Sequence, residues 1–315
     1  MYSWHDTLHM GIVHCMAYPQ AQDREEIKRT VKAILTDTFF QAVEVSALLE
    51  RDVLKEIGRM CEVARVECLI AAQPLVLSGG LNLNALQGEE RQKALSALKE
   101  AIDKAYIARA KILGLLSGKR PEKDEEEKAR NILVDSLLEL CQYAKERAKD
   151  YGYTLHLNLE VFDYAIDKKA LIGPATFAFD VASRVKAMCR NFGLTIDLSH
   201  EPLLFEEPSY ALSLLAPFVT HVHIGNAVLE AGHPAYGDLH PRFGIPGGLN
   251  DVGEVVAFLK ALVRSGFFEK ETATEKPVIS FEVKPLPGED PDLVVANAKR
   301  TFLVAWNRLF PMSWR

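Results

Sequence analysis

Cysteine is sparse in this 315-residue chain and its arrangement is uninformative as a framework. There are five, Cys15, Cys61, Cys68, Cys141 and Cys189, an odd number with no CxxC spacing. That pattern argues against a disulfide scaffold or a thiolate zinc site. Cys61, Cys68, Cys141 and Cys189 lie in apolar or amphipathic stretches, so buried free thiols in a reducing, cytoplasmic setting are expected. No apolar run is long enough to span a membrane. Residues 1–16 carry three histidines and an aspartate where a leader would carry a basic segment and an apolar core, so no signal peptide is expected. Positive charge is not in excess: 37 Lys and Arg against 43 Asp and Glu leave a net charge of −6. Such a surface repels a phosphate backbone, and nucleic acid is not an expected partner. Phosphate-cradling glycine loops, internal repeats, low-complexity tracts and linkers are all missing. One domain over residues 1–315 is the expectation.

What the chain does contain is alternation. Short β-rich runs at 11–17, 41–45, 67–72, 112–116, 154–160, 193–197, 220–224 and 278–283 are separated by helical patterns. Eight such units suit an α/β fold with a closed parallel sheet, a (β/α)8 TIM barrel with outer helices. An open doubly wound sheet would need a glycine-rich turn after its first strand, where the chain reads Tyr18-Pro19-Gln20-Ala21-Gln22. Residues 89–111 carry an apolar stripe at helical spacing. Residues 121–150 open with a proline and the acidic run Asp124, Glu125, Glu126, Glu127, which suits a solvated first helical turn. Two long connections, 73–88 and 225–250, follow the third and seventh strands, and loops of that length usually cover a functional site.

Four of the apolar runs end on residues able to hold a divalent metal: Glu160, Asp197, His223 and Glu282. Each alone has a plainer reading: Glu160 a salt bridge, Asp197 a helix cap, His223 a core histidine. Together, at four successive strand ends, they form a set of three carboxylates and one imidazole. That set suits one divalent cation, with Mn2+ favoured and Mg2+, Co2+ or Zn2+ as alternatives. Strand alternation puts His156, Asn158 and Glu160 on one face, against Leu155, Leu157 and Leu159 on the other. The polar set is expected to face into the barrel. By the same rule His221 pairs with His223, and Ser280 and Lys284 share the face of Glu282. A metal next to a hydroxy-ketone stabilises an enediolate, and two facing carboxylates, Glu160 and Glu282, can move the proton.

These features resemble the xylose-isomerase-like barrel superfamily of sugar isomerases and epimerases, which shares its fold with the apurinic endonucleases. The resemblance rests on Ala105 leading to Ile112-Leu113-Gly114, Leu159-Glu160, Ile196-Asp197-Leu198-Ser199-His200 and His221-Val222-His223. It also rests on Asp238-Leu239-His240-Pro241-Arg242-Phe243-Gly244 and Phe281-Glu282-Val283-Lys284-Pro285. It implies Glu160, Asp197, His223 and Glu282 as metal ligands, with Glu160 and Glu282 doubling as the acid–base pair. His200 falls where the family contacts substrate, and Asp238 and His240 match a pair that holds a further metal in the endonucleases. Asn158, Arg242 and Lys284 complete the expected substrate-binding set.

The endonuclease branch needs two more histidines near strands three and four, and Gln73 and Ser117-Gly118-Lys119 stand there. Ketose 3-epimerases carry an arginine after the strand-seven histidine and a glutamate after the strand-five ligand. Asn226 and Asp163 are the residues offered here as replacements. The expected substrate is a small sugar or polyol ketone, isomerised or epimerised. Dehydration by a lyase on the same metal site is the alternative, ahead of phosphate cleavage or a non-catalytic binding role. The apolar end at 306–315 suits docking on the barrel or on a second copy in a homo-oligomer.

Overall fold

A computed structural model describes residues 3–309. Eight parallel strands form one sheet: β1 (His9–Ile12), β2 (Ala42–Ser46), β3 (Glu67–Ala71), β4 (Ile112–Leu115), β5 (His156–Val161), β6 (Phe192–Asp197), β7 (Val219–Ile224) and β8 (Val278–Phe281). Each pairs with its sequence neighbour from β2 through β8, and β8 pairs in turn with β1. The remaining seam is closed by Gln41 N–H donating to Met10 O at 2.8 Å and by a parallel bridge between Val13 and Glu44. The sheet is therefore a barrel, as the alternation predicts, and helices such as Gly88–Ile107 and Glu126–Tyr151 wrap it. Outward leucines and valines of the strands join the helix faces in one large apolar core. Inside the barrel, Ala42, Leu69, Ile112 and Val278 make a separate small apolar plug. Everything above that plug is free to be polar.

Two expectations on element limits need correction. The run 11–17 is not one strand: β1 ends at Ile12, and His14–Ala17 is a short helix. A short apolar run cannot be assigned by periodicity alone. Here His14 Nε2 reaches Thr30 Oγ1 at 2.8 Å on the following helix, which fixes the turn. The acidic run is split between a 3-10 turn, Lys123–Glu125, and the start of the long helix. Glu126 is buried and accepts a hydrogen bond from the Tyr164 hydroxyl, so this part of the run is packed and not solvated. At the other end, Trp306 packs into the core, while residues 310–315 of the apolar terminus lie outside those described. All five cysteines are free.

Two local irregularities position the polar interior. Gly11 pairs with Ser280, and a Cβ on Gly11 would collide with the Ser280 hydroxyl, so only glycine lets β1 close against β8. The register between β6 and β7 slips by one residue: Leu194 faces Val219 but Thr195 faces His221. Thr220 is the extra residue of this bulge, and Gly193 leaves the space its hydroxyl fills. Bulges commonly re-aim side chains beside a site.

Candidate metal centre

The four strand-end residues converge. Glu160, Asp197, His223 and Glu282 each offer one ligand atom, and these atoms all lie within 4.8 Å of one another. One oxygen each of Glu160, Asp197 and Glu282, together with His223 Nδ1, is buried without any hydrogen-bond partner. His223 Nδ1 comes within 2.7 Å of Glu282 Oε2 and 3.5 Å of Glu160 Oε1, but neither approach has hydrogen-bond geometry. Four buried, unpartnered polar atoms brought together at the strand ends are costly unless something fills the space among them. A divalent cation with oxygen and imidazole ligands fits that requirement.

The imidazole is held from behind. Glu44, on β2, is fully enclosed in the barrel and accepts from His221 Nε2 at 2.8 Å and from His223 Nε2 at 3.2 Å. With Nε2 committed to a carboxylate, Nδ1 is the atom His223 presents to the cluster. Burial works against charge on Glu44, yet the two imidazoles outweigh it and hold its carboxyl well below the usual range. Sequence reasoning missed Glu44. A single acid within the strand run Ala-Val-Glu-Val-Ser was the available signal.

Glu160 is held in the same manner. Gln73, the first residue of the helix after β3, donates from Nε2 to Glu160 Oε2 at 2.7 Å. Where the endonuclease pattern asks for a histidine, this chain has an amide bonded to a strand-end carboxylate.

A second network joins the loop after β7 to the segment after β6. Asp238 accepts from His200 Nε2 at 3.1 Å and lies 2.8 Å from His240 Nε2. The other nitrogen of His200 faces the Val161 carbonyl at 3.0 Å, so both ring nitrogens face acceptors. Burial disfavours charge on His200, but Asp197 and Asp238 prevail and raise it well above its usual range. His240 is likewise pushed up, to about 9: burial opposes the charge, and Glu282 and Asp238 outweigh it. It adopts a left-handed backbone, φ 51°, which is strained for a non-glycine residue. Asp197, His200 and His240 also bring ligand atoms within 4.8 Å of one another. The edge of the Phe162 ring packs against His200, with centroids 4.3 Å apart.

Above the cluster opens a cavity of about 180 Å³ whose walls include His223, Glu282, Asp238, His240, Lys168 and Lys284. That is below the ~300–1,000 Å³ of pockets for drug-sized ligands. Of the three carboxylates, Glu282 opens most to it: its side chain is 14% exposed, against 2% for Glu160 and none for Asp197. Burial raises the Glu282 carboxyl above its usual range despite His240 and His223, and Glu160 adds to the effect. Asp197 is shifted the other way: His200, His240 and His223 overcome burial and lower it.

Not every expected substrate contact reaches this cavity. Asn158 lies beneath it, fully buried, bonded to His156, Thr220 and the Leu194 carbonyl. Its polarity serves the barrel floor. Arg242 is turned aside and donates from Nε to Glu289 at 2.8 Å. The two replacements for epimerase residues are also spoken for. Asp163 accepts from four backbone N–H groups between Ala165 and Lys168, and Asn226 ties Arg242 O to Ala227 and Asn250. His200 is enclosed and stands behind Asp238, His240 and Phe162, which line the cavity.

A model of the xylose isomerase-like TIM barrel family matches residues 36–295. The chain belongs to this family. Its fold superposes on an L-ribulose 3-epimerase with a TM-score of 0.71 at 16% identity, covering 98% of this chain and 99% of that one. It superposes on D-psicose 3-epimerase from Clostridium cellulolyticum, solved with D-tagatose, at 0.67 and 16%, covering 96% and 99%. A third, the IolI protein with a binding zinc atom, gives 0.71 and 13%, covering 97% and 100%. No curated protein matches the sequence. Among the described residues, no helix is long and apolar enough to cross a membrane.

Proposed function

We propose that this xylose isomerase-like barrel is a divalent-metal-dependent isomerase or epimerase of a small sugar or polyol ketone. The observation that carries the reading is the set of four buried, unpartnered ligand atoms at the ends of β5, β6 and β7 and just past β8. Similar folds solved as ketose 3-epimerases, and one solved with zinc, support it. Glu160, Asp197, His223 and Glu282 would hold the cation, and Mn2+ suits three carboxylates with one imidazole. When bound, the cation supplies Lewis-acid polarisation of a carbonyl and its neighbouring hydroxyl.

The protein's own residues do the rest. Glu282 faces the cavity, which suits a group that takes a proton from the substrate and returns it. Glu160 stands across the same cluster and is the second proton carrier, so a proton removed by one carboxylate is returned by the other. Glu44 fixes the His223 ring. Asp238 and His240 wall the cavity and orient substrate, and Lys284 offers its ammonium to substrate oxygens. Phe162 shields the His200 side from water.

The test is a panel of ketoses, aldoses and inososes incubated with the Mn2+-loaded protein in D₂O and followed by proton NMR. Deuterium entering a carbon next to the carbonyl, with isomer or epimer formed, is the expected result. Loss of a hydroxyl would redirect the reading to a lyase, and no exchange with any member would refute proton transfer. Protein purified without chelator is expected to carry about one divalent metal by elemental analysis.

A further inference from the structure

We propose that Gln73 serves this site twice: its amide N–H holds the Glu160 carboxylate, and its carbonyl oxygen accepts a hydrogen bond from a substrate hydroxyl. The inference rests on the proposed sugar-ketone reading. Gln73 is more than nine-tenths buried yet forms part of the cavity wall. An amide donates only through nitrogen and a carboxylate only accepts, so the 2.7 Å contact from Nε2 to Glu160 Oε2 sets which way the amide faces. The remaining atom, Oε1, is buried with no hydrogen-bond partner. An orphaned carbonyl beside a cavity asks for a donor.

The scaffold makes room for this arrangement. Gly114 on β4 faces the same interior, and a Cβ there would lie 2.8 Å from Gln73 Nε2. A side chain at 114 would push the amide off Glu160. The cavity walls also include the carboxylates of Asp238 and Glu282 and the amines of Lys168 and Lys284. A hydroxyl matches such mixed walls because it donates to Oε1 while accepting from an ammonium group. Successive hydroxyls, as in a polyol, match them best.

The variant Gln73→Met keeps the length and removes both polar atoms. It is compared with wild type for Mn2+ affinity by calorimetry, for melting of the metal-free protein, and for deuterium exchange with each accepted ketose and its monodeoxy analogues. Wild type is expected to discriminate roughly 100-fold or more against one monodeoxy analogue, because a site built for a hydroxyl rejects its absence. In Gln73→Met that ratio should fall to about threefold or less, and Mn2+ affinity should drop about tenfold. Gln73→Glu retains an acceptor and loses the donor, so it should keep the discrimination while kcat falls. It also answers the question if Gln73→Met does not fold. Undiminished discrimination in Gln73→Met overturns the hydroxyl contact. Unchanged kcat and Mn2+ affinity overturn the hold on Glu160. Wild-type protein that neither binds Mn2+ nor exchanges with any ketose overturns the proposed function, and this inference with it.

Discussion

The two halves of the barrel contribute different things to one site. Strands β5 to β7 and the residue just past β8 supply Glu160, Asp197, His223 and Glu282, the four groups that face one another with unpartnered atoms. From β2 and the segment after β3 come Glu44 and Gln73, and each ends on one of those four. The second half presents the candidate ligands and the first half holds two of them still. Coordination sites are tuned as much by what restrains a ligand as by the ligand. In this protein the division follows the chain.

The sharpest way to break the comparison is to remove chemistry from the second half. Glu282→Gln and Glu160→Gln should each slow deuterium exchange into substrate by about 10³-fold or more, in line with loss of a positioned acid–base group. Near-normal exchange in either would dissolve the distinction between carriers and holders. Next in size is Glu44→Gln, which removes the charge that fixes His223. Mn2+ affinity should fall about 10–100-fold by calorimetry, with the metal-free fold retained by circular dichroism. Affinity within twofold of wild type would show that the first half restrains nothing.

Asn158→Ala probes the floor beneath both halves. It should cost about 1–3 kcal/mol in denaturant unfolding, since it takes the partner from His156 Nδ1 and from the Thr220 hydroxyl. Mn2+ affinity should stay unchanged. A loss of affinity without loss of stability would return Asn158 to the site.

The effect confined to acid pH concerns His14, in the first half. Burial lowers it from 6.5 to about 4 in the folded protein. Between those values the unfolded chain binds the extra proton, so this contribution is complete above pH 6.5 and is lost as pH falls towards 4. It amounts to roughly 3 kcal/mol at most. His14→Gln should flatten that part of the stability–pH curve, and an unchanged slope would mean that another group governs it.

The strand ends were legible in the sequence because burial and alternation act locally. Leucines at 155, 157 and 159 declare which way Glu160 points, and an ionisable residue closing an apolar run is conspicuous. The barrel was legible for the same reason, from eight such runs. Partners across the barrel were not. Glu44 reaches histidines 177 and 179 positions away, and Gln73 reaches a carboxylate 87 away. No local pattern encodes those meetings, which follow from ring closure. Arg242 and Asn158 show the opposite side: each has the polarity of a substrate contact, and their partners within the fold, Glu289 and Thr220, were not legible.

The slip between β6 and β7 has an arithmetic consequence. In an unbroken strand, Val219 packing outward would send His221 and His223 outward too, because side chains alternate. The one surplus residue, Thr220, reverses odd and even for the rest of β7, so both imidazoles point inward while Val219 keeps its place under the helices. A single-codon deletion at this point would therefore leave all four residues in the sequence and turn His223 away from the other three. At β7, the convergence of the four groups is a question of counting to the right parity.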